Sequence, residues 1–269
     1  MKKLVATSAV LVALTSASTM AFELDVNHDT NTQESEIKLH SDLFAGIGGG
    51  IEFVGSDNLQ HYKETTFSLD YKIDAGNFYV TPSFDLTVPS GDSSNYKWQP
   101  DAMPGGKDQM SYKFGSVAKF GLKVGTSFDN GIYTSARYRY EIQDGKGDFG
   151  IGNPILGARH LNGEGSHKTK THRVDLTVGY NVAEVVDLSA NYVVKRGTTK
   201  AKVNVAEGDN AAKFTGTSHD IELKAVVTTF GDLKPYVQYS YKGDTKYTGS
   251  RTFEGATDNE FKLGVNYTF

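Results

Sequence analysis

Three arginines raise the question of what this chain binds. Arg137 and Arg139 stand two apart in I-Y-T-S-A-R-Y-R-Y-E-I-Q, residues 132–143, and Arg173 follows His172 at the start of the next regular stretch. A guanidinium is a planar, permanently charged fork that meets a carboxylate with two parallel hydrogen bonds. Spacing of two places both side chains on one face of a strand, whereas a helix would turn them apart. The chemistry on offer is therefore the holding of acidic groups, provided that 132–143 is extended.

The elements that must position these arginines are legible as period-two alternation. In 132–143, Ile132, Ala136, Tyr138, Tyr140 and Ile142 fall on one face, and Arg137, Arg139, Glu141 and Gln143 on the other. The same split recurs from Phe22 onward. Phe67, Leu69, Tyr71 and Ile73 oppose Ser68, Asp70 and Lys72; Leu176, Val178 and Tyr180 oppose Arg173, Asp175 and Thr177; Leu263, Val265 and Tyr267 oppose Lys262 and Asn266. About twelve such stretches follow one another, and one face suits lipid while the other suits water.

The connections alternate too. Tight turns are expected at Asp74-Ala75-Gly76-Asn77 and at Asp129-Asn130-Gly131, the latter a strong hairpin signal. A glycine-rich reversal is expected over 45–50. Long polar loops are expected at 89–113, 144–170, 197–218 and 243–258, the third carrying a projecting hairpin around 201–205. Pro82 lacks an N–H, so a bulge is expected there. Phe114 is read as the first outward residue of the strand that continues through Phe120 and Leu122.

Short turns at one end, longer loops at the other and an even strand number are the plan of a transmembrane antiparallel β-barrel, with short periplasmic turns and long extracellular loops. A soluble sandwich shares much of this composition. The closing aromatic strand that ends at Phe269 favours the barrel. A membrane barrel hides no apolar core, so its inward residues are free to select what passes. Inward cations by this count include Lys119, Lys123, Arg137, Arg139, Arg173, Lys195, Lys224 and Lys262, and they outnumber the inward acids Asp70, Asp85, Glu141, Asp175, Glu222 and Glu260. Most of the lysines are expected to pair with acids on neighbouring strands. Arg137, Arg139 and Arg173 fall on consecutive strands and form a ladder that can pass an acidic sugar chain from site to site. A lumen of this strand number is narrower than that of general porins.

Composition bounds the alternatives. Met1-Lys2-Lys3, an apolar run over 4–14 and the small residues before Phe22 make a secretory leader over 1–21, too short for a spanning helix. Without Lys2 and Lys3 the formal charge moves from -4 to -6, which disfavours nucleic acid as a partner. The 269 residues include no cysteine, so no disulfide or thiolate metal site exists. The seven histidines show no metal-ligand spacing, and no glycine cluster forms a phosphate loop, so no cofactor is expected.

Ala136-Arg137-Tyr138-Arg139-Tyr140, then His172-Arg173, then Leu233-Lys234-Pro235-Tyr236-Val237-Gln238-Tyr239 and the ending Phe261-Lys262-Leu263-Gly264-Val265 together resemble the KdgM/NanC family of oligogalacturonate-specific porins. The similarity runs from Phe22 and is best after Phe120. The resemblance implies a monomeric twelve-stranded barrel in the outer membrane, bounded by its lipid, with a basic, narrow channel for acidic oligosaccharides and small anions. It carries Arg137, Arg139 and Arg173 over as lumen arginines, with Lys195 continuing the basic track; Lys123 and Lys224 join them as candidate substrate-binding residues. Two departures stand out: the stretches 89–113 and 144–170 look longer than usual, and few arginines lie elsewhere.

Two other functions stay open at this point. His160-Leu161-Asn162-Gly163 and Ser166 resemble the active-site surroundings of an outer-membrane phospholipase, although a catalytic triad needs rigid elements and this stretch reads as a glycine loop. A non-conducting adhesin barrel that binds through its loops is the other.

Overall fold

The computed structural model describes residues 21–56, 59–91, 95–98, 109–152, 160–205, 208–248, 253–255 and 258–269. The leader read at 1–21 lies, apart from Ala21, outside the described residues. Every regular element among the described residues is a strand. They are β1 (Phe22–Asp29), β2 (Glu34–Phe44), β3 (Ile47–Ser56), β4 (His61–Tyr71), β5 (Ile73–Ala75), β6 (Phe78–Pro89), β7 (Asn95–Trp98), β8 (Gln109–Ser127), β9 (Ile132–Gly152), β10 (His160–Val182), β11 (Val186–Val205), β12 (Gly208–Val227), β13 (Leu233–Lys242), β14 (Thr245–Thr248), β15 (Phe253–Gly255) and β16 (Glu260–Thr268).

Antiparallel pairing runs β11-β10-β9-β8-β6-β4-β3-β2-β1-β16-β13-β12, and β12 pairs β11 to close the ring. The first and last strands, β1 and β16, meet in that ring, with Leu24 opposite Tyr267 and Val26 opposite Val265. These twelve strands are the staves. β5 continues β4, while β7, β14 and β15 are short additions at the far rim. At a spacing of about 4.8 Å and a tilt of about 40°, twelve staves enclose a bore about 24 Å between facing backbones.

The faces divide as the alternation requires. Tyr138 and Leu263 are 46% and 47% exposed, and Phe67, Leu69, Phe120, Leu122, Leu176, Val178 and Leu223 are about half exposed, all pointing away from the bore. Such a belt of large apolar side chains in contact with water is untenable; in contact with lipid it is the band of a membrane barrel. At the turn end the belt finishes in Phe44, Phe78, Phe128, Phe230 and Phe269. Toward the far rim the Tyr138 hydroxyl meets His172 Nδ1 at 2.7 Å, and Tyr192 meets His219 Nδ1 at 2.6 Å. Aromatic rings with a polar handle at both edges are interfacial anchors.

Five staves outrun the bilayer. β8 to β12 are 19 to 23 residues long, whereas a membrane strand needs about 9 to 11. Much of the sequence expected as loop at 144–170 and 197–218 is therefore paired hairpin, with Lys146 opposite Ser166 and Lys202 opposite Ala211. The projecting hairpin expected around 201–205 is found, and it is longer. Beyond the lipid both faces of a strand meet water, so the apolar alternation that marks a strand in sequence disappears while the backbone ladder continues. In the same way 109–113 belongs to β8, and β14 and β15 occupy part of 243–258.

Three local expectations are refined. The reversal expected over 45–50 is confined to Ala45 and Gly46, both at positive φ (49° and 81°), as a two-residue hairpin turn requires. Gly48 and Gly50 lie within β3, where they leave room for His40 of β2 to reach Asp70 of β4 at 2.9 Å; a Cβ at Gly48 would stand 2.9 Å from the imidazole. Pro82 makes no bulge. The β4 ladder stops at Asp70 opposite Ser83 and resumes at Ile73 opposite Val80 in the same register, so the missing N–H only interrupts pairing. A bulge does occur between Phe114 and Val117, and it reverses the facing of everything before it.

Inward tyrosines are folded flat against the wall. Tyr79, Tyr133 and Tyr236 stand opposite Gly125, Gly179 and Gly264. A Cβ at those glycines would lie 2.4, 2.1 and 2.4 Å from the phenol. Each ring occupies the space that its glycine leaves empty, which keeps the bore open and pins register.

Candidate functional site

Register assembles the arginines into a wall. One inward row reads Gly121, Arg139, Arg173, Lys195, Ser218 across β8 to β12, so three cations stand directly opposite one another on three consecutive strands. The next inward row, toward the turn end, reads Lys123, Arg137, Asp175, Val193, Asp220. Like charges placed opposite each other in a ladder repel.

The acids of the second row offset that repulsion in part. Asp175, almost fully buried, accepts from Arg137 Nε at 3.0 Å through Oδ2 and from Arg173 Nε at 2.8 Å through Oδ1. Lys195 Nζ donates to Asp220 at 2.7 Å, and Asn191 donates to Glu222 at 2.8 Å. Arg139 is held less completely. Its Nε lies 2.7 Å from Glu141 Oε1, but the N–H is not aligned on that oxygen, and this buried Nε makes no hydrogen bond among the described residues. The contact is one of charge alone, and the guanidinium keeps donor capacity.

Five of the six candidate residues thus share one wall. Lys123 stands beside Arg137 and 5.7 Å from the ring centroid of Tyr79. Lys224 does not join them. It lies on β12 six residues nearer the turn end than Ser218, about 20 Å along the strand. There its Nζ sits 3.7 Å above the ring of Tyr236, whose hydroxyl donates to Asp25 at 2.8 Å.

The expected excess of cations in the lumen is corrected by the opposite wall. β9, β10 and β11 lie six staves from β1, β2 and β3 in the ring of twelve. The inward faces there carry Glu23, Asp25, Asp29, Glu36 and Glu52, with Lys38 among them. Asn27 Nδ2 donates to Asp25 and to Glu36, both at 3.1 Å, and Lys262 donates to Glu36 at 2.6 Å. Asp29 Oδ1 accepts from the N–H groups of Asn31 and Thr32, which fixes the β1–β2 turn. Asp29 Oδ2 and Asn27 Oδ1 are buried without a hydrogen-bond partner among the described residues. The alternation in Phe22–Asp29 already places Glu23, Asp25 and Asp29 on the polar face.

The far mouth holds a cluster that sequence reading missed. Because of the bulge, Phe114 faces the bore, where outward was expected. It lies edge-on to Tyr112 and His167, at centroid distances of 5.2 and 5.9 Å, and the Tyr112 hydroxyl is hydrogen-bonded to His167 Nδ1. A β-bulge adds one residue to a strand and has little signature beyond Gly115-Ser116. His160, expected in a loop, is the first residue of β10 and pairs with Gly152; among the described residues no cluster could hold a metal ion.

No family profile and no curated protein matches this chain. Among solved structures, the NanC porin is similar over 92% of this chain and 100% of its own length, at 12% identity and a TM-score of 0.50. The fold is that of the NanC porin. Two KdgM porin structures are similar as well. One, in complex with disordered oligogalacturonate, is 13% identical over 92% of this chain and 99% of its own, with a TM-score of 0.48. The other is 14% identical over 93% and 99%, with a TM-score of 0.47. The NanC-type architecture is the one that the sequence resemblance implied. At these identities the likeness speaks for the barrel, and the chemistry of this bore rests on the side chains described above.

Proposed function

We propose that this chain is a passive outer-membrane porin, exported by a leader that ends at 21, whose narrow bore takes up acidic oligosaccharides of the oligogalacturonate or sialic-acid type and prefers anions. One observation carries the reading: Arg139, Arg173 and Lys195 stand side by side in one transverse row, with Arg137 and Lys123 in the next. Three opposed cations repel one another, Asp175, Asp220 and Glu141 offset that repulsion only in part, and an acidic ligand supplies further countercharge. Arg137 and Lys195, each about a third exposed, offer the first holds, and the neighbouring cations pass the chain onward. The ring closes within one chain, so a monomer suffices for a complete bore.

The test is ion current through the purified protein in a planar bilayer. Reversal potentials in a salt gradient should report anion preference, and Arg137→Ala with Arg139→Ala should weaken it and shorten blockades by added galacturonate oligomers. A wild-type channel that prefers cations and ignores uronates would reject the reading.

A further inference from the structure

The two walls of the bore are charged oppositely, and the arrangement is graded along its length. Arg137 stands five residues from the turn end of β9, and Asp25 three from that of β1; Arg173 stands nine from the turn end of β10, and Glu36 eight from that of β2. Since β9 and β10 are diametrically opposed to β1 and β2, Arg137 and Arg173 stand across the bore from Asp25 and Glu36, two residues and one residue apart in their count from the turn end. Glu52 lies on β3, opposite the Lys195 stave, and holds no ion pair or hydrogen bond through its side chain among the described residues. A bore about 24 Å between backbones is narrowed further by these long side chains, and the screening length is about 10 Å at 0.1 M salt. A field therefore runs across the channel from the β8–β11 wall to the β1–β3 wall.

We infer that the preferred solutes carry both signs of charge, as saccharides bearing free amino groups as well as carboxylates do, and that they cross with the acid side on the arginine wall and the amine side on the wall of Asp25, Glu36 and Glu52. This inference rests on the porin reading and narrows its substrate class. A purely anionic chain gains from one wall and is repelled by the other. A chain with both charges gains from each, and its orientation is fixed by the field. Neutral sugars gain from neither.

The experiment uses the full mature chain in planar bilayers and three trisaccharides: all hexuronate, hexuronate alternating with glucosamine bearing free amines, and neutral. At 0.1 M salt, blockades by the mixed-charge probe should last about fivefold longer than those by the uronate, and the difference should fade at 1 M. Asp25→Asn with Glu36→Gln should bring the two dwell times together. Since that pair also removes contacts to Asn27, Tyr236 and Lys262, Glu52→Gln repeats the test without the loss of an ion pair and should shift the ratio in the same direction. Equal dwell times in the wild type, or a ratio unchanged in both variants, would overturn the inference while uronate blockade left the porin reading standing. A conductance that no probe alters would reject both.

Discussion

Arg173 and Asp175, two residues apart on the lumen face of β10, are bonded Nε to Oδ1 at 2.8 Å, and the other oxygen of the same carboxylate takes Arg137. One buried acid thus organises two of the three arginines. Asp175→Asn keeps the shape and removes the charge. It should lower stability toward urea in lipid by about 3 kcal/mol, the usual cost of breaking a buried pair, while raising anion preference in bilayers. A variant as stable as the wild type would mean that water in the bore already screens this site.

The lipid and lumen faces of a stave respond differently to the same charge. On β8, Leu122 is 47% exposed toward lipid, whereas Lys123 points inward. Leu122→Arg should cost about 2–4 kcal/mol in folding into bilayers. Lys123→Ala should stay within about 0.5 kcal/mol. Measured refolding titrations that ranked the two the other way round would show that the faces had been assigned backwards.

The glycines under the inward tyrosines control the width of the bore. Gly179→Ala would set a methyl group 2.1 Å from the Tyr133 ring, so the phenol must swing into the channel. Single-channel conductance should fall, at a stability cost of about 1–3 kcal/mol. Adding Tyr133→Ala should restore conductance, and its failure to do so would locate the obstruction elsewhere.

Acid should loosen the far mouth. His167 lies five residues beyond the girdle residue His172, outside the lipid, and burial holds its imidazole below the ordinary value of 6.5, with Asp144 opposing; Tyr112 is its bonded partner. The neutral ring is the one the folded mouth favours. Its contribution is complete above pH 6.5 and is lost as the pH falls through the lowered folded-state value. Amide hydrogen exchange at 145–147 and 166–168, corrected for intrinsic rates, should speed up in acid, and His167→Phe should abolish the change. Exchange that stayed flat between pH 7 and 5 in the wild type would exclude this titration.

The amino-acid order alone determined the strands and the polar and apolar face of each, because a strand between two unlike surroundings carries a period of two. That the apolar faces point outward to lipid was decided by the closed ring. The order also placed Arg137, Arg139, Arg173, Lys123 and Lys195 on the polar side, since that needs only the parity of each strand. Where both faces meet water, as at 144–148 and 197–204, the period vanishes and paired strand reads as loop. Where one residue is inserted, as at Gly115-Ser116, parity reverses and Phe114 changes sides.

Closure decided the rest. Which rows of cations fall side by side is set by register, and register is fixed by hydrogen bonds between strands distant in sequence. That β1 pairs β16, and that β9 and β10 thereby come to face Asp25 and Glu36, follows from twelve tilted staves meeting in a ring. No local pattern encodes what lies across an open bore, because the two walls never touch.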